Sequence, residues 1–376
     1  MTSRNYDVVV IGAGIVGAAR AAECAKESLS VAIVEAKMIG GAATAAGMGH
    51  LVVMDDSEAQ FALTRYSQTL WDELKADLPR DVEYDECGTI WVAANEEELA
   101  EVRRKEKFYT ERDVRVEVLD RQALADAEPS LRSGLVGGLR VPGDSVIYPP
   151  CAAEFLVGRA RSCGADLFLG KSVAEITGEG VRLDDGSLIS AGLIVNAAGS
   201  WSPLLTPGVN VKKRKGHLVI TDRYPKFVNH QLIELGYLKS AHSVNTDSVA
   251  FNIQPRSTGQ LLIGSSRQSG VESTDVNVSI LVRMLERALE YIPNLGRLSS
   301  LRTWTGFRAA TPDKLPLIGP HLQHNRLYLA TGHEGLGITT SMGTAKLIVD
   351  QILNRPSAIP VAPYLPARVV QELAHA

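Results

Sequence analysis

The 376-residue chain lacks several features that would place it in a specialised class of protein. It has no apolar run of the roughly 18 residues that a membrane span needs, and its N-terminus, MTSRNYDVVVIGAG, shows no signal-peptide pattern. A net charge of only −4 gives no reason to expect a nucleic acid or an anionic membrane as partner. We therefore expect a cytoplasmic protein, or one that reaches the inner membrane surface through a partner chain.

Cysteine is scarce too. The four cysteines, Cys24, Cys87, Cys151 and Cys163, form no CxxC pair, so we expect neither a zinc site nor an iron–sulfur cluster held by this chain. A disulfide framework is not expected in a chain of this size and compartment. The hydrophobic fraction of 45%, by contrast, is ample for large cores and predicts two domains.

The strongest motif is a βαβ unit at the N-terminus. Asp7–Ile11 and Ser30–Val34 are apolar, β-branched runs typical of buried parallel strands. Gly12, Gly14 and Gly17 follow the first strand in GxGxxG spacing and open an alanine-rich helix. Gly12 suits a tight turn, Gly14 the close approach of a pyrophosphate, and Gly17 the packing of helix on strand. The helix N-terminus would offer N–H groups and partial positive charge to the phosphates.

Glu35 closes the second strand of this unit. Its carboxylate would accept hydrogen bonds from an adenosine ribose and would repel a 2′-phosphate, which disfavours NADP. The unit therefore predicts a bound dinucleotide, FAD or NAD. The alternative is a structural βαβ unit without a ligand.

The loop Lys37–Val52 carries small residues and no charge between Lys37 and His50. Small residues suit a chain that lies along a ligand: Thr44 would bind the second phosphate, while Gly47 and Met48 would line an isoalloxazine ring. The alternative is a flexible Gly/Ala loop.

A second glycine-rich turn stands near the other end of the chain. A strand ends at Ala330, a turn spans Gly332–Gly337, and a helix begins near Ile338. Free N–H groups at that helix N-terminus would stabilise the negative charge that a reduced flavin carries at N1–C2=O. The glycines would then allow the backbone to approach the ring.

The middle of the chain predicts further elements. Helices are expected over Glu58–Leu78 and Glu96–Arg112, with a strand within Val82–Asn95. The basic run Val211–Gly216 is interpreted as a solvated loop, with a subunit contact as the alternative. A buried strand ends at Ala198–Gly199, where backbone could again meet a ligand.

Four segments together carry a family resemblance: the glycine unit with Glu35, VNAAGSWSP, GFRAATPDKLPLIG and ATGHEGLGITTSMGTAKLI. In this order they resemble the D-amino-acid oxidase, glycine oxidase and sarcosine oxidase (DAO) family of FAD enzymes over almost the entire chain. Within it, GHEGLGITTS and YLKSAHS are most similar to FAD-bearing β subunits of heteromeric amine dehydrogenases. That group includes D-hydroxyproline dehydrogenase, hydrogen cyanide synthase and opine oxidases.

The resemblance implies a mixed α/β fold with two discontinuous domains. A Rossmann-type FAD-binding domain would comprise residues 1–81, 143–215 and 305–376. A mixed β-sheet substrate domain would comprise residues 82–142 and 216–304.

The resemblance also implies an activity. We expect an FAD-dependent dehydrogenase subunit that oxidises a secondary or D-amino acid, best exemplified by D-hydroxyproline or D-proline, to an imine. Electrons would pass to partner subunits carrying a second flavin or an iron–sulfur cluster. The alternatives are a self-sufficient oxidase of glycine or sarcosine oxidase type that forms H2O2, and a non-catalytic flavin-binding subunit.

Site residues follow from the same resemblance. Arg308 matches the arginine that binds the substrate carboxylate, which a guanidinium fork suits. His50 and His333 are candidates for deprotonating the substrate ammonium, with a structural role as the alternative. Glu334 would pair with that ammonium or with a neighbouring arginine, and Tyr237 is a pocket candidate by position. The predicted FAD-contacting residues are Gly12, Gly14, Ile15, Val16, Gly17, Glu35, Ala36, Ala43, Thr44, Gly47, Met48, Val173, Ala198, Gly199, Gly335, Gly337, Ile338 and Thr339.

Two departures from the family bear on how flavin would be held. The segment GFRAATPD has no cysteine, and GDSVIYPP has no histidine. The residues to which family members attach FAD or FMN are therefore missing, so FAD, and any FMN at a subunit interface, would be bound non-covalently.

Overall fold

The computed structural model describes residues 5–236 and 247–368. Over these residues the chain forms two eight-stranded mixed sheets, a short two-stranded sheet and several helices. The strands are β1 Asn5–Ile11, β2 Val31–Glu35, β3 His50–Leu51, β4 Thr89–Ala93, β5 Glu117–Asp120, β6 Gly137–Val141, β7 Ser145–Val146, β8 Asp166–Leu169, β9 Val173–Ile176, β10 Gly180–Leu183, β11 Leu188–Asn196, β12 Lys212–Thr221, β13 Gln231–Glu234, β14 Ser248–Pro255, β15 Leu261–Ser269, β16 Ser300–Ala310, β17 Leu317–Pro320 and β18 Leu327–Thr331. The α-helices are α1 Ile15–Lys26, α2 Ala42–Ala45, α3 Glu58–Leu74, α4 Glu96–Thr110, α5 Arg121–Ala127, α6 Pro149–Ser162, α7 Ser202–Leu205, α8 Val278–Tyr291 and α9 Gly337–Ile352.

The first sheet has the strand order β17-β18-β11-β1-β2-β8, and β9 and β10 extend it from β11. Strands β8, β2, β1, β11 and β18 run parallel to one another, and β17 pairs antiparallel with β18. Both faces of β1 and β2 are covered, which explains their continuous apolar sequences. Helix α1 packs between α6 and α9 on one face. The predicted βαβ unit is therefore confirmed.

The second sheet has the order β16-β12-β15-β14-β13-β4-β6-β5 and is antiparallel except for the β4–β13 pair. Helix α8 covers one face, where the ring of Tyr291 stacks on Phe251 with centroids 4.4 Å apart. The opposite face meets the small-residue loop of the first half of the chain. There Gly306 lies against Ala46, and Gly264 lies against Met48. The mixed α/β class is confirmed, with the two sheets meeting along this loop.

Most predicted elements form, with shorter bounds. The helices predicted from Glu58 and Glu96 begin at those residues, because Ser57 and Asn95 accept a hydrogen bond from the first-turn backbone. They end at Leu74 and Thr110, four and two residues before the predicted ends.

One prediction about the middle of the chain is wrong. The basic run from Val211 to Gly216 is not a solvated loop, because Lys212–Thr221 forms strand β12. Lys215 is 2% exposed, and its ammonium donates to the Asp275 carbonyl. A basic side chain is tolerated in such a place when its charged end reaches an acceptor.

The predicted division into two domains stays a prediction. Its boundaries at 215/216 and 304/305 fall inside β12 and β16, both in the second sheet. Within the described ranges, no helix combines the length and the apolarity needed to cross a membrane.

Candidate functional site

The glycine turn after β1 leaves no room for side chains. Gly12 has φ +98°, and a Cβ there would lie 2.8 Å from the Ala197 carbonyl oxygen at the end of β11. A Cβ on Gly17 would overlap the Gly12 carbonyl oxygen. The turn, the first turn of α1 and the end of β11 are thus packed backbone against backbone, as predicted from the spacing.

Two polar side chains hold this turn. Glu35 accepts hydrogen bonds from the backbone N–H groups of Ala13 and Lys37, both at 2.8 Å. The Thr44 hydroxyl accepts from the Ile15 N–H at 3.0 Å. Helix α1 has no acidic residue in its first turn, and its N-cap residue, Gly14, has no side chain to cap it. Its N-terminus therefore keeps the positive partial charge that an anion requires.

The N-terminus of α9 meets the same region from the other end of the chain. The Thr339 hydroxyl donates to the His50 carbonyl at 2.7 Å. A Cβ on Gly47 would lie 2.5 Å from Ile338 Cδ1, and one on Gly337 would lie 3.8 Å from Val16 Cγ2. Helix α9 likewise begins without a side-chain cap or a first-turn acid. The glycine turn, the small-residue loop and both helix N-termini therefore form one continuous surface.

This surface fits a dinucleotide that carries a flavin. Two helix N-termini without a first-turn acid and a run of glycines allow an anion close to the backbone, where Glu35 and Thr44 occupy the N–H groups of Ala13 and Ile15 only. Gln254 and Trp304 line a cavity of about 120 Å³ beside Gly47, and the buried Trp304 Nε1 has no partner among the described residues. Orphaned buried groups of this kind are typical of a ligand site. Of the other predicted contacts, Gly199 accepts from Thr331, and Val173 lies in the outer strand β9.

Arg308 projects from β16 towards the turn that precedes α9. Its Nη1 donates to the Ser266 carbonyl at 2.9 Å. A Cβ on Gly216 would lie 2.5 Å from Nη1, so the glycine makes room for the guanidinium group. A Cβ on Gly335 would lie 3.8 Å from Arg308 Nε. The structure thus places a half-buried guanidinium group between the second sheet and the turn in front of α9.

Glu334 is paired with arginines. Its carboxylate accepts from Arg214 Nη1 at 2.5 Å and lies 3.6 Å from Arg267 Nε. Its backbone has φ +47°, and its N–H donates to the Ala309 carbonyl. The expectation of a neighbouring arginine is thus met twice. Arg214 and Arg267 are not among the residues predicted from the sequence, although a strand over the basic run places Arg214 opposite Arg308.

The two candidate histidines have different surroundings. His333 is buried, and its Nε2 lies 2.9 Å from the Thr344 hydroxyl. Burial lowers its pKa to about 3, so the imidazole is neutral at pH 7. The ring of His50 interacts with the side chain of Gln254. Burial and the nearby charge of Arg308 lower the pKa of His50 to about 4, against an opposing contribution from the Gln254 side chain.

Tyr237, the remaining candidate, lies outside the described residues. The described part of the chain holds no group of three or more His, Cys, Asp or Glu side chains that could bind a metal ion.

The buried His333 predicts a pH dependence of stability. Its folded-state pKa of about 3 lies below the unfolded value near 6.5. The unfolded state therefore binds the proton first, and stability is lost as the pH falls from 6.5 towards 3. At pH 5 this contribution is about 2 kcal/mol. Urea unfolding is measured at pH 7.5, 6 and 5 with FAD in fixed excess. As the pH falls, the free energy of unfolding should decrease less in His333→Asn than in the wild type. The exposed His324→Asn is the control, and equal pH slopes in both variants would contradict the assignment.

Comparisons with known proteins complete the description of the site. The family model described as DAO, FAD dependent oxidoreductase, matches residues 7–351. The chain is 30% identical to glycine oxidase of Geobacillus kaustophilus (strain HTA426), over 97% of each protein. It is 26% identical to hydrogen cyanide synthase subunit HcnC of Pseudomonas aeruginosa, over 98% of each. The crystal structure of the G. kaustophilus glycine oxidase matches with TM-score 0.86 and 27% identity, covering 96% of this chain and 98% of that one. A crystal structure of L-proline dehydrogenase from P. horikoshii, at 24% identity, shares the fold with TM-score 0.87 over 98% and 99% of the two chains.

Proposed function

The chain belongs to the DAO family of FAD-dependent oxidoreductases acting on amino acids or amines, and from that premise we propose that it is a dehydrogenase subunit for a secondary or D-amino acid. D-hydroxyproline and D-proline are the substrates that the sequence resemblance favours. When bound, FAD supplies the acceptor for the hydride that leaves the substrate Cα as the C–N bond becomes an imine.

The position of Arg308 is the observation that carries this proposal. The guanidinium group can hold a substrate carboxylate by two parallel hydrogen bonds. Its anchoring by Ser266 and the space left by Gly216 fix the direction in which it points. A carboxylate held there would bring the substrate Cα between the second sheet and the turn before α9. Positioning of this kind is what amine oxidation requires of the protein.

The proposed FAD contacts follow the surface described above. The first turn of α1, at Ile15 and Val16, and the Thr44 hydroxyl would hold the pyrophosphate, and Glu35 the ribose. Gly47, Met48 and the start of α9 would line the flavin ring. Ala36, Ala43, Val173, Ala198 and Gly199 complete the proposed adenosine side.

The proposed base for the substrate ammonium is His50 rather than His333. The ring of His50 interacts with the side chain of Gln254, which lines the cavity beside Gly47, and it lies near Arg308. The ring nitrogen of His333 is engaged by Thr344. The low pKa of His50 keeps it able to accept a proton at neutral pH, although as a weak base.

Electron transfer to partner subunits is the second part of the proposal. It is supported by the similarity to HcnC, which is named as a subunit of hydrogen cyanide synthase. FMN at a subunit interface and association with the inner membrane surface remain predictions from the sequence. The competing function is a self-sufficient oxidase, which the 30% identity to a glycine oxidase favours.

One spectroscopic experiment tests the function. The purified protein is titrated anaerobically with cis-4-hydroxy-D-proline, D-proline, glycine and sarcosine while the flavin absorbance near ~450 nm is followed. We expect bleaching by the cyclic amino acids. Bleaching by glycine alone would contradict the proposed substrate, and bleaching by no amine would contradict a catalytic role. Rapid oxygen consumption by the isolated chain would favour the oxidase.

A further inference from the structure

Three arginines and one glutamate share the corner of the site that contains Arg308. Arg214 stands directly opposite Arg308 in the register of β12 and β16, so both side chains leave the same face of the sheet. Glu334 Oε1 contacts both Arg214 and Arg267. The side chains of Arg214, Arg267 and Glu334 are only 11–13% exposed. These side chains are therefore largely buried, and Glu334 adjoins Gly335, where a Cβ would lie 3.8 Å from Arg308 Nε.

Glu334 stands where a second substrate carboxylate would bind. Its Oε1 accepts a hydrogen bond from Arg214 and lies within ion-pair distance, 3.6 Å, of Arg267 Nε, so it sits between two guanidinium groups as a free carboxylate would. The left-handed backbone of Glu334 and its hydrogen bond to Ala309 hold it there. We propose that Glu334 is a built-in carboxylate that occupies this position and makes the site select amino acids with a single carboxylate. The proposal rests on the proposed function, because it takes Arg308 to hold the substrate α-carboxylate.

Charge counting supports the same conclusion. Three arginines face one internal carboxylate, and the substrate α-carboxylate adds a second negative charge. A second substrate carboxylate would be placed beside Glu334, and juxtaposed like charges are strongly unfavourable.

The test measures ligand binding and needs no turnover. The FAD-loaded protein is titrated with chain-matched carboxylates, propionate against malonate and butyrate against succinate, while the flavin spectrum reports binding. The wild type should bind each monocarboxylate at least about tenfold more tightly than its dicarboxylate, and Glu334→Gln should remove or reverse that preference. Because the assay oxidises no amine, its result does not depend on whether the proposed dehydrogenase activity is present.

A matched control exists in the chain. Glu234, whose side chain is 3% exposed, pairs with Arg287 and accepts from Tyr291 on the face of the second sheet that α8 covers. Glu234→Gln should leave the preference unchanged. In the double variant Arg214→Gln/Glu334→Gln, the gain in dicarboxylate affinity should be lost. One of the two guanidinium groups that would bind the second carboxylate is then missing.

Several outcomes would overturn the proposal. The first is a wild type that binds dicarboxylates more tightly than monocarboxylates. The second is a Glu334→Gln variant in which the affinities for both ligand classes change equally. The third is a gain in dicarboxylate affinity that persists in the double variant. If Glu334→Gln does not retain FAD, Arg214→Gln tests the same point. With less positive charge beside Glu334, malonate binding should weaken more than propionate binding, and equal weakening would refute the assignment.

Discussion

Arg308→Met is expected to lower kcat/KM for a carboxylate-bearing amine by roughly 10²- to 10³-fold while FAD stays bound. Removing one partner of a buried charge pair costs on the order of 3–4 kcal/mol, because the other charge is left desolvated and unpaired. Arg308 makes its described hydrogen bond to a carbonyl of the second sheet, away from the glycine turn, so the proposed cofactor surface should be unaffected. Steady-state kinetics and the ratio of flavin to protein absorbance measure the two effects.

Two comparisons make the Arg308 result specific. Arg140→Met, in β6 of the same sheet, removes an arginine that pairs with Glu117 and should leave the kinetics unchanged. An analogue of the substrate without its carboxylate should be oxidised equally by the wild type and by Arg308→Met. If that analogue also loses activity in the variant, Arg308 acts on something other than the carboxylate.

Gly17→Ala is expected to abolish FAD retention and to destabilise the fold by about 3 kcal/mol. The new methyl group would overlap the Gly12 carbonyl oxygen, and neither backbone can yield without moving α1 off β1. The matched change is Gly158→Ala in α6, where a Cβ meets no atom within 4 Å. That variant should keep FAD and gain about 0.5–1 kcal/mol, since alanine is the better helix former.

Both variants are compared by FAD titration of the apoprotein and by urea unfolding. Normal FAD affinity in Gly17→Ala would show that α1 can shift without loss of the site. Equal effects of the two substitutions would show that the change reflects helix propensity rather than the close packing at Gly17.

The sequence was most informative where backbone geometry decides the structure. Gly12 has φ +98° and packs against a carbonyl, and a Cβ on Gly17 would overlap the Gly12 carbonyl oxygen, so no other residue fits either position. The roles of both glycines could therefore be predicted from their spacing alone. Thr44 was assigned to the phosphate end of the loop, and the structure puts its hydroxyl on the first turn of α1. These features depend on local chain geometry and need no knowledge of distant contacts.

The sequence was least informative where charge is buried by distant partners. The basic run around Arg214 indicates a solvent-exposed loop when only its neighbours are considered. Its burial depends on Asp275 for Lys215 and on Glu334 for Arg214, which lie 60 and 120 residues away. The buried pair of Lys105 with Asp55, 50 residues apart, was missed for the same reason. Such pairings follow from the register of strands and helices, which composition does not encode.

The packing of α1 between α6 and α9 determines when during synthesis the site can form. Arg20 in α1 donates to the carbonyl of Ala345 in α9, and β18 completes the parallel row beside β11. A nascent chain that has emerged only as far as β16 contains the glycine turn, but it lacks α9. It also lacks β17 and β18, so its first sheet is incomplete. Contacts of such high sequence separation form late. FAD should therefore be loaded only after α9 has emerged, and until then the face of α1 that α9 covers stays exposed.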